Sequence, residues 1–284
     1  MPDDLSLVHE PVSDFLSTAP RLAKEPLSVE QVERFNQEGF LSGIPLLTDS
    51  QIETLNAQLS PLMSQAPSPL WHEFHGNESG DPESVLFHAL GAWRMAPGFH
   101  DLLWHPTLVG AAEQLIGGKV RFWHDQLFCK PPEHGGGVSW HQDYSYWTRT
   151  TPMAHLTCWI ALDDATSENG VIQYIPGSHR WDLLPVTGLA GGMDAIREVL
   201  GPEQRRFMET PVQRPMRKGE CSFHHPLTVH GSGKNISGTP RRATVVNLIR
   251  DGVVSATAEP LLEGVPAIPC GERLEGQFFP LLSE

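Results

Sequence analysis

Three side chains in the second half of the chain are of the types that hold a transition metal. His141 and Asp143 stand two residues apart in Trp140-His141-Gln142-Asp143. On an extended strand alternate side chains leave the same face, roughly 6–7 Å apart along the chain. A neutral imidazole and a carboxylate so placed are two of the three ligands of a facial metal site. His230 is a candidate third, since it closes the alternating apolar run before the flexible turn Gly231-Ser232-Gly233. Arg241 follows eleven residues later, far enough for the chain to turn and return on a neighbouring strand. Its planar guanidinium can hold a carboxylate through two parallel hydrogen bonds, which lysine cannot. Each residue alone also fits a bland role, as a core or rim histidine or a solvated arginine. His224 and His225 are adjacent and face opposite sides, as do Arg241 and Arg242.

The elements that must position these residues change character along the chain. Residues 1–26 carry four prolines and no sustained period, and read as a surface or partly disordered arm. Ser28 is placed to cap a helix bearing Val29, Val32 and Phe35, with Gly39 at its C-terminal end. A strand is expected over 40–47. A second helix, capped by Thr48 and Asp49, carries Ile52, Leu55, Leu59 and Leu62 on one face. Residues 64–84 read as a loop, and apolar spacing turns helical again over 99–116 up to Gly117-Gly118. From Val120 onward short β-branched and aromatic runs alternate with turns. Strands are expected at 120–130, 138–144, 155–163, 171–175, 219–223, 227–230 and 242–250. The segment 182–215, with a helical stretch over 193–200, reads as a long insertion. Many short strands with turn signals suggest a β-sandwich or barrel.

Bulk properties narrow the function classes. Lysine plus arginine is 20 against 34 acidic residues, a net charge of −14, which disfavours nucleic acid as a partner. No run approaches the length of a membrane span, and the N-terminus lacks a signal-peptide pattern. Cys129, Cys158, Cys221 and Cys270 form no C-x-x-C pair and suit a reduced, cytoplasmic setting.

Together these blocks resemble the phytanoyl-CoA dioxygenase family of iron(II)/2-oxoglutarate oxygenases. The resemblance runs from about Leu27 to Ile249. It covers Lys130-Pro131-Pro132, His141-Gln142-Asp143, Asn169-Gly170 and Ile175-Pro176-Gly177-Ser178-His179. It continues through His225-Pro226, His230-Gly231-Ser232-Gly233 and Arg241. It implies a mainly β fold with flanking helices, a double-stranded β-helix or jelly roll of cupin-like barrel form, in one domain spanning 27–284. His141, Asp143 and His230 would be the iron ligands and act in catalysis. Arg241 would bind the far carboxylate of 2-oxoglutarate, with further co-substrate contacts at Gln126, Trp159, Ser232 and His88. The implied reaction uses dioxygen, converts 2-oxoglutarate to succinate and carbon dioxide, and hydroxylates a small organic molecule. Halogenases of this broad class have Ala or Gly in place of the ligand carboxylate, so Asp143 argues for hydroxylation or a related oxidation.

Tyr144-Ser145-Tyr146-Trp147-Thr148-Arg149 follows the metal strand, and Tyr144, Trp147 and Arg149 are the substrate-contact candidates. Tyr146 and Trp147 equally suit packing at the rim. A free small metabolite fits the acidic chain better than a CoA thioester, and 64–84 and 182–215 are candidate lids. Two other classes stay open: a zinc-dependent cupin-type hydrolase or isomerase, and a catalytically silent jelly-roll binding protein.

Overall fold

The fold is a computed structural model that describes residues 3–18, 25–64, 68–75, 85–189 and 193–283, with backbone alone at 73–75. Helix α1 (Val29–Glu38) begins at a capping box between Ser28 and Gln31 and ends at Gly39, whose φ of 86° needs a residue without a Cβ. Helix α2 (Asp49–Met63) begins at the equivalent box between Thr48 and Gln51. The helical stretch expected over 99–116 is broken in three: α4 (Pro97–Asp101) after the short α3 (Ala92–Met95), a 3₁₀ turn Leu102–Trp104, and α5 (Pro106–Ile116). Pro106 causes the break, because it lacks an amide hydrogen and keeps His105 extended.

Strands follow in chain order: β1 (Phe40–Pro45), β2 (His72–His75), β3 (Phe87–Leu90), β4 (Val120–Lys130) and β5 (Val138–His141). Next come β6 (Thr150–Thr151), β7 (His155–Ala161), β8 (Ile172–Tyr174) and β9 (Val212–Gln213). The last four are β10 (Glu220–His224), β11 (His230–Ser232), β12 (Arg241–Arg250) and β13 (Val254–Ser255). They form an antiparallel seven-stranded sheet of order β1-β10-β7-β12-β4-β3-β2 and a four-stranded sheet of order β5-β11-β8-β9. A small pair, β13-β6, stands apart. Among the described residues the two larger sheets face each other as a jelly roll without joining into a closed barrel.

The large sheet is buried on both faces. On β7, Leu156, Cys158 and Ile160 pack towards the helices, with Leu55, Leu59 and Leu108. Trp159 and Ala161 point the other way, onto Ile172 and Tyr174 of the small sheet. On β12, Val246 and Leu248 join the helical side, while Ala243 and Val245 face the small sheet. This period of two determines which residues of β4, β7, β10 and β12 can look into the space between the sheets.

Several boundaries differ from the sequence reading. Residues 72–75 of the expected loop 64–84 are strand β2, and 65–67 and 76–84 lie outside the described residues. The strand expected at 227–230 starts only at His230, because Pro226 sits in a turn closed by the Thr228 amide on the His225 carbonyl at 2.8 Å. Strand 138–144 stops at His141, and Asp143–Tyr146 is a 3₁₀ turn. The helix expected over 193–200 is a four-residue 3₁₀ turn, Ala195–Glu198. Around it Leu184, Leu200 and Met208 pack on Trp140 and Val229, so this segment covers the small sheet's outer side. Helix α6 (Pro202–Phe207) lies in the same segment.

The described part of the N-terminal arm is not a loose surface strand. Leu5 and Phe15 are buried, and Asp101 accepts the Val12 and Ser13 amides at 2.7 and 2.9 Å. After β13 the chain returns across the large sheet's edge, where Leu261, Leu274 and Phe279 pack with Trp123 and Trp147. Among the described residues no helix is long and apolar enough to cross a membrane.

Candidate metal centre and binding cavity

His141 ends β5 and His230 opens β11, and the two are direct partners in the antiparallel register. Asp143 heads the 3₁₀ turn just beyond β5. Their ligand atoms all lie within 4.8 Å of one another, a spacing that could hold a metal ion. His141 Nε2 and His230 Nε2 stand 3.4 and 3.6 Å from Asp143 Oδ1.

Each ligand is held from behind. His141 Nδ1 is 2.8 Å from the Ser139 carbonyl oxygen, and His230 Nδ1 is 2.9 Å from that of Thr228. Carbonyl oxygens only accept, so both rings carry hydrogen on Nδ1 and turn the Nε2 lone pair to the centre. Asp143 Oδ2 is 2.6 Å from the Thr157 hydroxyl and 3.0 Å from His224 Nε2, which leaves Oδ1 for a metal. Burial, with neighbouring His224 and His141, pushes the pKa of His230 well below its usual value, so the ring is a free base. Burial opposes ionisation of Asp143, but the surrounding imidazoles of His230, His141 and His224 outweigh it and hold its pKa well below the usual range. Two imidazoles and one carboxylate, sharing one face, form a donor set that suits ferrous iron.

The cluster opens into a cavity of about 480 Å³ between the two sheets. Arg241, the first residue of β12, lines it from the large sheet. It is thus on the opposite sheet from His230, because β11 pairs only with β5 and β8. Its guanidinium is buried and lies 5.5 Å from the Trp159 ring centre. One nitrogen donates to the Phe128 carbonyl at 3.2 Å, while Nε has no hydrogen-bond partner. Burial lowers its pKa to about 10, so it remains charged at neutral pH. A buried cation with a donor unspent is suited to an incoming carboxylate.

Lys130 lies close by, also fully buried. Its ammonium donates to Ser232 Oγ at 2.7 Å and to the Gly233 carbonyl oxygen. Burial and the Arg241 charge push its pKa down.

Gln126, Trp159, Ser232 and His88 all line the cavity. Gln126 Nε2 is 3.1 Å from His88 Nε2, and Gln126 Oε1 accepts from Asn247 Nδ2 at 3.1 Å. Asn247 Oδ1 lies 3.0 Å from the Thr157 hydroxyl, so polar contacts run unbroken from Asp143 to His88. The substrate candidates divide. Trp147 lines the cavity, its ring edge-on to His124 at 5.6 Å. Arg149 lines the mouth, but donates to the carbonyl oxygens of Pro260 and Leu261 at 2.7 and 3.0 Å. Tyr144 is not among the lining residues, and its hydroxyl donates to the Thr150 carbonyl at 2.7 Å.

Tyr146 takes the place expected of Tyr144. In a 3₁₀ turn residues three apart eclipse, so Tyr146 follows Asp143 onto the cavity side. The sequence reading also passed over Thr157, Lys130 and His224. Strand alternation could have pointed to the first two, as Thr157 shares a face with Trp159 and Lys130 with Gln126, the two positions that the family resemblance implied. Nothing in the sequence singled out His224 over His225.

The family described as Phytanoyl-CoA dioxygenase (PhyH) matches residues 35–243. An L-proline trans-4-hydroxylase of Streptomyces griseoviridis is 27% identical over 251 residues, 80% of this chain and 88% of that protein. An ectoine dioxygenase of Bordetella parapertussis is 27% identical over 235 residues, 76% of this chain and 73% of that one. Among solved structures, the non-heme alpha ketoglutarate dependent carbocyclase SnoK from nogalamycin biosynthesis superposes with a TM-score of 0.73 at 23% identity. It covers 93% of this chain and 100% of its own, a likeness of fold.

Proposed function

The chain belongs to the phytanoyl-CoA dioxygenase family, and from that premise we propose that it is an iron(II)- and 2-oxoglutarate-dependent dioxygenase hydroxylating a small organic molecule. The carrying observation is that His141, Asp143 and His230 converge on a cavity whose other wall offers the buried guanidinium of Arg241. When bound, iron, dioxygen and 2-oxoglutarate supply the oxidising power: one oxygen atom goes to the keto acid, released as succinate and carbon dioxide, and the other to a substrate C–H bond.

The protein's own part is geometry and charge. His141 and His230 present Nε2, with their tautomers fixed by backbone carbonyls. Thr157 and His224 occupy Asp143 Oδ2, so the carboxylate presents a single oxygen. Arg241 holds the distal carboxylate of the co-substrate, and Lys130 steadies Ser232 through a hydrogen bond. Trp159, Phe128 and Val245 wall that end of the cavity with apolar surface, which strengthens the charge pairing. Two histidines and a carboxylate also suit zinc, but a zinc hydrolase has no use for a buried, part-unpaired arginine facing the centre.

The test is succinate release from 2-oxoglutarate with iron(II) and ascorbate. Slow release is expected even without a substrate. Absence of both release and 2-oxoglutarate binding would defeat the reading.

A further inference from the structure

The cavity has two halves of different chemistry. The inner half holds the metal cluster and the Arg241 guanidinium, with Lys130 behind Ser232. The outer half is walled by Leu90, Tyr146, Trp147, Leu189, Leu261 and Leu262. Its two charged residues, Arg149 and Glu263, are of opposite sign. The Arg149 guanidinium is spent on the carbonyls of Pro260 and Leu261, so it pins that segment over the cavity. Glu263 is mainly exposed and lies 3.8 Å from His72.

Among the described residues, an anionic head entering here would lose its water without meeting an unspent cation.

Tyr146 is the polar exception. Its ring stands edge-on to His141, 6.0 Å between centres, and its buried hydroxyl lies by the Gly188 amide, with no acceptor for its own proton among the described residues. A phenol carries its proton at neutral pH, so Tyr146 is a donor. A substrate oxygen bonded to it would lie beside the metal cluster.

We propose that the outer half takes an uncharged, mainly apolar small molecule, oriented by a hydrogen bond from Tyr146 to a carbonyl or ether oxygen, and rejects anions. Locating the chemistry beside Tyr146 rests on the oxygenase reading, whereas the charge preference does not.

The test uses three probes of similar shape: 2-acetylnaphthalene, 2-ethylnaphthalene and 2-naphthoate. Binding to the full chain is measured by calorimetry, with and without Mn(II) and 2-oxoglutarate. The ketone should bind tightest, at least about tenfold tighter than the carboxylate, a difference of about 1.4 kcal/mol. Tyr146→Phe should weaken the ketone by about three- to tenfold and leave the hydrocarbon unchanged. Glu263→Lys, at an exposed position, and Leu262→Arg should each raise naphthoate affinity. Naphthoate binding as tightly as the ketone, or no ketone binding at about 1 mM, overturns the proposal. An equal loss of all three probes in Tyr146→Phe overturns the orienting role. Succinate release is scored separately with iron(II). Its absence with the probe order intact defeats only the oxygenase reading, and its presence with the order reversed defeats only this inference.

Discussion

The two faces of the seven-stranded sheet obey different rules. The helix side is filled by Leu, Ile, Val, Cys and Phe, whose contacts depend on volume. The cavity side carries Gln126, Lys130, Thr157, His224, Arg241 and Asn247, each bonded to a particular atom. Strands that run through both environments show how one backbone serves two ends: alternate positions secure the fold, and those between them build the site. Damage on one side should therefore leave the other side's property intact.

The most severe test is His141→Ala or His230→Ala. Iron affinity in an anaerobic titration should fall by more than the 10–100-fold typical of losing a ligand's hydrogen-bond partner, with the melting temperature little changed. Full iron affinity in His230→Ala would overturn the ligand set. Next, Arg241→Ala should weaken 2-oxoglutarate by about 30-fold or more, on the order of 2–5 kcal/mol, while leaving the metal bound. Arg241→Lys, which keeps charge but loses the fork, should fall between. On the helix side, Leu55→Ala should cost about 2–5 kcal/mol in urea unfolding and leave metal affinity alone. Back on the cavity side, Thr157→Val should lower metal affinity by about 10–100-fold without comparable loss of stability, since it frees Asp143 Oδ2.

The mildest test concerns a polar residue away from the cavity. His105 is fully buried at the head of α5 with neither ring nitrogen bonded, and burial lowers its pKa to about 4. Between an unfolded pKa near 6.5 and that value the unfolded chain binds the extra proton. Stability is therefore lost as pH falls through this window, by roughly 3 kcal/mol in full. Replacing His105 with Phe should flatten this acid loss in thermal melts at pH 7 and pH 4.5. An unchanged pH slope would place the sensitivity elsewhere.

How much of this could be read in the chain depended on how local the signal was. The Ser28 and Thr48 caps and the Gly39 stop were legible because capping is a contact within four residues. His141 and Asp143 were legible as a pair, though for a partly different reason, since the strand ends before Asp143. Where the period changes from two to three, the reading chose Tyr144 and the fold uses Tyr146. Arg241 was expected beside His230 and lies across from it, because pairing between strands is decided by the whole sheet and not by the length of one turn. His224 became visible only when its register opposite Thr157 brought it to Asp143.

The segment pinned by Arg149 comes at Pro260–Leu262, beyond residue 243, where the family match stops. His141, Asp143, His230 and Arg241 lie within the matched portion, and part of the cavity wall is built from later residues. Exchanging that stretch between relatives is accordingly a rational route to altered selectivity.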